Sequence, residues 1–351
     1  MRKVSIDEIE AGMVIAADIF DPEFGGELPL IARGVTLTPT YVGKIKDRGF
    51  FELLIETPPD YRGAPGETYV LLEVGEDIVS AGNVDLQCDI PPGIKIAAEE
   101  NIRVTGIVHP GCSIISAKGD IFITGAIHGS PESRVTISAG NRVEIDNGTG
   151  RPVSFADIKA LDEIVAQSDM HHCSLSAKGK LTVTGKIGKS NIYSHKKIRL
   201  RECGDAAGVD PCQLLVKPAE CRQLFQALLA LDKQMEALQQ EKKRLHNSIS
   251  LVRNLCKNIE SLPPDKKMQL ALEVKKFQEI ESNIASGLKT KEKLKENILN
   301  VLAAERIIVD RTAHPNTQIT IENYSLCLDQ SVGAVAFYVQ DMKVKSMPLR
   351  C

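Results

Sequence analysis

The sequence predicts a mainly β protein with an α insertion: a right-handed single-stranded β-helix (a solenoid) interrupted by a long antiparallel coiled-coil hairpin and preceded by a small α+β N-terminal domain. Two observations predict this fold. Short segments recur at a spacing of roughly 20 residues, and the composition shifts abruptly to Leu, Lys, Glu and Gln between residues 221 and 305. The predicted parts are an N-terminal module at 1–57, a β-helix at 66–220, a coiled-coil hairpin at 221–305, and a continuation of the β-helix with a C-terminal cap at 306–351.

The repeat is clearest where ISAKGDIFITG at 115–125 returns as LSAKGKLTVTG at 175–185. Related segments are VSAGNVDL, IAAEENIRVTG, ISAGNRVEI and IYSHKKIRL. Aliphatic residues alternate within each copy, which is typical of a short strand with one buried face. A single coil cannot bury that face alone, so neighbouring copies are expected to stack about 4.8 Å apart into one core.

Glycines close three copies of the motif, at Gly106, Gly125 and Gly185. We expect them to be structural corner residues, where the chain needs a positive φ or a close approach between backbones.

One step of the repeat is 38 residues long and contains SFADIKALDEIVAQS. Ser154 and Asp157 are spaced like a helix N-cap and its partner, and Phe155, Ile158 and Leu161 recur at helical spacing. The pattern predicts a helix inserted at about 154–168.

Apolar residues at heptad spacing dominate the first half of the segment 221–305, which favours a coiled coil. The heptad positions are Leu224, Leu228, Leu231, Met235, Leu238, Lys242, Leu245, Ile249, Val252, Cys256 and Ile259. SLPPD at 261–265 contains two prolines and predicts a break between two antiparallel helices.

Lysines concentrate near the end of the second predicted helix, at Lys289, Lys291, Lys293 and Lys295. The segment 221–305 carries 15 Lys and Arg against 11 Asp and Glu, so its formal charge is +4 against −7 for the rest. A solvated face explains this run, and a contact surface for a protein partner is the alternative hypothesis.

The first 57 residues combine alternating apolar residues with a helix that begins at Thr38 and Pro39 and ends at Gly49, followed by the strand FELLI. TPPDYRGAPGE at 57–67 is typical of a linker. After the hairpin, RIIVDRTAHPNTQITIENYSLCL returns to strand-like alternation and is expected to resume the solenoid.

Composition excludes several classes of protein. No stretch approaches the roughly 20 apolar residues of a membrane span, and the start of the chain does not fit a signal peptide, so we expect a cytoplasmic protein without an integral membrane segment. The net charge of −3 gives no reason to expect nucleic acid as a partner. Nine scattered cysteines without a C-x-x-C pair indicate reduced thiols.

The order of parts resembles the bacterial flagellar assembly protein A (FapA) family. The resemblance covers roughly residues 66–351 and depends on the SAxGDIxIxG repeats, the hairpin, IIVDRTAHPNTQITIENYSLCL and GAVAFYV. It implies a cytoplasmic, non-catalytic protein tied to flagellar assembly or polar organisation.

The N-terminal segments KVSIDEIEAGMVIAADI and GVTLTPTYVGKIKDRGF are similar to the small domain ahead of HD-GYP cyclic-dinucleotide phosphodiesterases, although no HD or GYP motif follows, and suggest signalling instead.

No catalytic, cofactor-binding or metal-binding residues are predicted. His109 and His128 occupy equivalent places in GIVHPG and GAIHGS and could share a metal on adjacent coils, but an exposed ladder is the preferred interpretation. Acidic residues are scattered, so a carbohydrate-active β-helix enzyme is the least favoured interpretation.

We therefore predict a scaffold or adaptor that contacts protein partners, flagellar or polar proteins among them. A bactofilin-like protein that assembles with itself, and hence a homo-oligomer, is the alternative.

Overall fold

The computed structural model describes residues 1–20, 29–57, 64–146, 152–255 and 263–349. The chain divides into two compact units. One unit comprises Met1–Val216, Arg306–Phe337 and Val344–Cys351, and the other comprises Lys217–Glu305 with Tyr338–Lys343.

A small mixed region forms the N-terminus: β1 (Arg2–Ser5), a 3-10 turn (Ile6–Glu8), α1 (Pro39–Asp47) and β2 (Glu52–Ile55). Strands β1 and β2 pair antiparallel. The Oγ1 of Thr38 accepts a hydrogen bond from the Tyr41 amide and caps α1, while Gly49 follows the helix with a φ of +72°. This region has its own apolar core, centred on Ile15, Leu37 and Ile45.

The remaining strands form a β-solenoid of about eight turns and the antiparallel strands that follow it. They are β3 (Thr68–Leu71), β4 (Ile78–Ser80), β5 (Asn83–Leu86), β6 (Lys95–Ala98), β7 (Ile102–Val104), β8 (Ser113–Ser116), β9 (Ile121–Ile123), β10 (Ile127–His128), β11 (Val135–Ala139), β12 (Val143–Ile145), β13 (Val153–Ser154), β14 (Ala156–Ala160), β15 (Ile164–Ala166), β16 (Met170–His171), β17 (Ser174–Ala177), β18 (Leu181–Gly188), β19 (Asn191–Ser194), β20 (Ile198–Cys203), β21 (Gln213–Val216), β22 (Ile307–Ala313), β23 (Gln318–Ile321), β24 (Tyr324–Cys327), β25 (Val335–Gln340) and β26 (Lys343–Pro348).

Each coil crosses three faces in turn. We call β4-β6-β8-β11-β14-β17-β19-β21-β23 the second sheet, β3-β5-β7-β9-β12-β15-β18-β20-β22 the first sheet, and β10-β13-β16 with the end of β18 the side ladder. Pairing along all three is parallel, for example Ile137↔Ile158 in the second sheet and Ile127↔Val153 in the side ladder. The predicted solenoid is confirmed; its right-handed sense stays a prediction.

Aliphatic side chains stack in columns inside the solenoid. One column of the first sheet consists of fully buried residues on successive coils: Ile102, Ile121, Val143, Ile164, Leu181, Ile198 and Ile307. Parallel neighbours on both sides pair the backbone of each interior coil and remove its inward side chains from water.

The predicted helix at 154–168 is wrong, because this segment is a complete coil formed by β13, β14 and β15. Ala156, Ile158 and Ala160 point inward and are buried, whereas Leu161 is 52% exposed. The repeat step of 38 residues therefore contains two coils, marked by Ile137, Ile158 and Leu175 in register. Small alanines take the inward positions here and conceal the period-2 pattern.

The chain leaves the second sheet after Val216 and enters the first sheet again at Ile307, so the helical hairpin is inserted within one coil. Its helices are α2 (Ala219–Leu255) and α3 (Pro264–Ala304), with Pro263 as the N-cap of α3. The Lys291 Nζ lies 2.6 Å from an Asp232 carboxylate oxygen, and the Ser248 hydroxyl lies 2.9 Å from Glu273, so the helices run antiparallel as predicted.

The predicted heptad positions of α2 from Leu224 to Val252 are all buried or half-buried. Lys242, the polar exception, forms an ion pair of 2.8 Å with Glu281 and lies 5.3 Å from the centre of the Phe277 ring. Cys256 and Ile259 lie outside the described residues.

Antiparallel strands follow the last parallel coil. β25 pairs with β22 at the end of the first sheet, and β24 pairs with β23 at the end of the second sheet. At the other end of the first sheet, β1 of the N-terminal region pairs with β3. The outermost strand β26, KVKSMP, carries two lysines and ends at Pro348, a composition that disfavours pairing with another chain.

Candidate functional site

The structure places Gly106, Gly125 and Gly185 at stacked corners of the solenoid. A Cβ atom on Gly125 would overlap the carbonyl oxygen of Gly106, and a Cβ atom on Gly106 would overlap the carbonyl oxygen of Cys88. Gly185 meets the carbonyl of Ser168 in the same way. Close approach of backbones, not positive φ, therefore requires glycine here.

Histidines line up along the outside of the side ladder. Val108 and Ile127 are bridged in parallel register, so His109 and His128 follow on adjacent coils. The line continues through Ser154, His171 and Gly188. Among the described residues no group of three or more His, Cys, Asp or Glu side chains could hold a metal ion.

The four predicted lysines of α3 do not act as one group. Lys291 is half-buried and paired with Asp232 across the hairpin, whereas Lys289, Lys293 and Lys295 are exposed. Lys291 thus contributes to pairing of the two helices, and the other three remain available to a partner.

A polar cleft of about 810 Å³ lies on the outside of the solenoid, where the side ladder turns into the second sheet. Its lining residues are Arg134, Asp157, His172, Cys173, Ser174, Lys189, Asn191, Gly208, Val209, Pro211, Gln213, Asn316 and Gln318. We call this surface the corner cleft. The volume falls within the range of about 300–1,000 Å³ that is usual for ligand sites.

One wall of the corner cleft has an unusual backbone. Phe155, His172 and Lys189 occupy the same corner of three successive coils and have φ values of 49°, 55° and 46°. Non-glycine residues seldom adopt this left-handed conformation. The rings of Phe155 and His172 stack at 4.4 Å with an interplanar angle of 13°, which supports this corner.

The surroundings of the His172 imidazole lower its pKa and so favour its neutral form. Partial burial lowers its pKa, and the positive charge of Lys189 lowers the pKa further, while Asp210 acts in the opposite direction. The buried thiol of Cys173 below has its pKa raised to about 11 by desolvation and is unreactive for that reason.

Arg134 joins three coils at the floor of the corner cleft. Its Nε and one terminal nitrogen donate to the two Asp157 carboxylate oxygens at 3.0 and 2.9 Å. That same nitrogen also donates to the carbonyl oxygens of Ala156 at 3.2 Å and His172 at 2.8 Å. The bidentate pair neutralises both charges and fixes the geometry of the corner.

A row of amides forms the second wall. Asn191, Gln213 and Gln318 point outward from β19, β21 and β23 and are in direct register. Their side chains are exposed and form no hydrogen bond with the described part of the chain. Stacked amides elsewhere in the solenoid do bond to each other: the Asn101 side-chain amide donates a hydrogen bond to the Asn83 side chain at 2.9 Å.

A loop overhangs one end of the corner cleft between β20 and β21. Asp205 accepts a hydrogen bond from the Asp210 amide at 2.9 Å, and Asn316 donates to the Gly208 carbonyl at 3.1 Å. These bonds hold Gly208, Val209 and Pro211 beside the amide row, and Val209 is 70% exposed.

Sequence reasoning did not find the corner cleft. The erroneous helix at 154–168 concealed one of its coils. The signal was the 17-residue spacing of His172 and Lys189, which equals the spacing of Leu175 and Ile192.

Comparison with protein families agrees with this architecture. Residues 70–344 match the Flagellar Assembly Protein A beta solenoid domain, which is more than half of the chain. The chain belongs to this family. Comparisons with curated proteins and with solved structures gave no significant match.

Membership of the FapA family suggests a protein related to flagellar assembly, and this family is not a known enzyme family. Among the described helices none is long and apolar enough to cross a membrane.

Proposed function

We propose that this protein is a non-catalytic scaffold for flagellar assembly or organisation of the cell pole, in which the helical hairpin and the solenoid faces bind protein partners. The observation that carries this proposal is the hairpin. Its helices contain 37 and 41 residues, so each extends about 55–60 Å at 1.5 Å per residue.

The hairpin carries more apolar surface than its own pairing requires. Its exposed large hydrophobic residues are Leu229, Leu251, Met268, Leu272, Leu288 and Leu299. Met268 and Leu272 are four residues apart and therefore share one face of α3, with exposures of 69% and 59%. Adjacent exposed apolar side chains on a helix are a common feature of surfaces that bind other proteins.

Affinity capture from the native cell tests the proposal, with the full-length chain compared with a chain in which 222–304 are replaced by a short Gly and Ser loop. We expect flagellar or polar proteins to be recovered only with the hairpin. The sharper variant is Met268→Ser with Leu272→Ser, which should lose the partner while the protein stays folded. Lys266→Ser with Lys275→Ser is the matched control, since both lysines are exposed on α3. Equal recovery by all four proteins would contradict the proposal.

The lysines provide a second test of the hairpin. Charge reversal of Lys289, Lys293 and Lys295 should weaken capture if the partner is acidic there, whereas reversal of Lys291 would also disrupt its pair with Asp232. Unchanged capture by the triple variant would remove these lysines from the proposed contact.

Assembly into a polymer is the alternative, and the ends of the solenoid bear on it. The antiparallel strands β24 and β25 and the charged, proline-terminated strand β26 favour a discrete particle. Sedimentation velocity should give a coefficient that does not rise steadily with concentration. Steady growth would favour the polymer.

A further inference from the structure

The corner cleft has a hydrogen-bonding surface that the protein itself does not use. We propose that it binds a linear oligosaccharide, which lies along the solenoid axis over Ser174, Asn191, Gln213 and Gln318. This inference does not depend on the proposed scaffold function.

Spacing favours a glycan over a peptide. The four side chains occupy one register position on successive coils, and adjacent parallel strands are separated by about 4.7–4.9 Å. Same-face groups of an extended peptide recur at about 6.6–6.8 Å, which is twice its rise per residue, so they fall out of step with this row. A linear glycan presents hydroxyl groups on every ring and advances by about one ring per coil.

Charge favours a neutral, polyhydroxylated ligand. Arg134 is already paired with Asp157, and the lowered pKa keeps the His172 imidazole neutral near pH 7. Lys189 is then the principal cation on the wall. One positive charge is not enough for the electrostatic binding of a nucleic acid, which uses several cations to neutralise its phosphates. Single-stranded nucleic acids also require open aromatic faces, and the Phe155 and His172 rings stack on each other.

The chemistry of the lining agrees with this choice. A side-chain amide offers two donors and one acceptor oxygen, and can therefore bind adjacent hydroxyl groups that both donate and accept. The hydroxyl of Ser174 and the neutral imidazole of His172 add groups of the same dual character. The loop at Gly208–Pro211 forms a rim, so that the cleft covers one side of a ligand about four rings long.

The test uses the full chain and three glycans: cellohexaose, chitohexaose and maltohexaose. A twelve-residue oligothymidine and an extended dodecapeptide of Ser and Thr are tested separately as the alternative classes of ligand. The protein has no Trp, so binding is measured by calorimetry and by saturation-transfer NMR on the ligand. We expect at least one hexasaccharide to bind and neither the oligothymidine nor the peptide to do so.

Two variants locate the binding. The triple variant N191A/Q213A/Q318A should weaken the affinity roughly tenfold or more, because three hydrogen bonds to the glycan are lost together. Ser174→Tyr should block the cleft while all three amides remain. Gln167→Ala removes an exposed amide outside the cleft and should bind as the unaltered protein does.

The inference is overturned if no hexasaccharide binds, if only the peptide or the oligothymidine binds, or if glycan binding survives in both cleft variants. Circular dichroism melting of each variant establishes that the protein is folded, since all three amides and Ser174 point outward from the second sheet.

Discussion

The solenoid and the helical hairpin are built on opposite principles of burial. Inward residues of the solenoid such as Ile121 and Ile164 are completely buried, because each coil lies between two others. In the hairpin only Met235, Ile280, Ile298 and Leu302 are buried among the described side chains of α2 and α3 from Arg222 onward, and polar pairs such as Lys242 with Glu281 complete the interface. The solenoid thus has the features of a rigid support, while the hairpin has those of a contact surface.

Two glycines give the strongest test of this comparison. Gly125→Ala should lower the free energy of unfolding of the solenoid by about 3 kcal/mol or more, since the new methyl group overlaps a backbone carbonyl that cannot move alone. Gly287→Ala in the hairpin meets the flexible Met235 side chain at 3.2 Å and Leu231 at 4.0 Å, and the gain of about 1 kcal/mol in helix propensity should offset the closer contact.

Hydrogen exchange read separately on peptides from each unit measures both effects. Similar losses of protection in the two variants would show that the two regions do not differ in this way.

The coil that the sequence pattern concealed gives the second test. Ile158→Ala should destabilise the solenoid by about 2–4 kcal/mol, because it leaves a cavity between Ile137 and Leu175. Leu161→Ala is the matched control and should cost less than about 0.5 kcal/mol, since Leu161 is half exposed. Guanidinium unfolding followed by circular dichroism compares them, and the opposite order would restore the helical interpretation.

A smaller effect is expected from the ion pairs of the hairpin. Lys291→Ala should destabilise the hairpin by about 0.2–1 kcal/mol, because both partners are partly exposed. Lys289→Ala should leave stability unchanged. Exchange protection of α2 around Asp232 measures the difference, and equal effects of the two substitutions would show that the pair with Asp232 contributes nothing.

The smallest expected effect is the pH dependence of the corner cleft. The folded protein binds a proton at His172 less readily than the unfolded chain does, because the pKa of His172 is lowered on folding. Stability from this group is therefore complete above the unfolded pKa of about 6.5 and is lost as the pH falls below that value and through the lower pKa of the folded state. His172→Asn tolerates the positive φ and should flatten that part of the stability profile. An identical profile in the variant would exclude His172 as the origin.

Much of the fold could be predicted because its units are local. Period-2 alternation around Ile121 and Leu181 identified coils, and heptads from Leu224 to Val252 identified α2. The coil at Ala156–Ala160 was missed because alanine has the highest helix propensity and conceals the alternation of a strand. The corner cleft depends on left-handed backbone conformations at Phe155, His172 and Lys189. A sequence predicts this conformation reliably only where it has glycine, so the corner could not be predicted.

Because the hairpin is inserted after Val216, the early coils of the solenoid are synthesised well before the coil that closes it. Coils as far as β21 are made and can stack while residues 217–305 have still to be translated. β22 pairs with β20 at Ile198↔Ile307, so the closing coil must wait until more than a hundred intervening residues have left the ribosome. Until then the growing end of the solenoid lies open, and a chaperone or a neighbouring nascent chain would meet an uncovered parallel strand rather than the antiparallel cap of the finished protein.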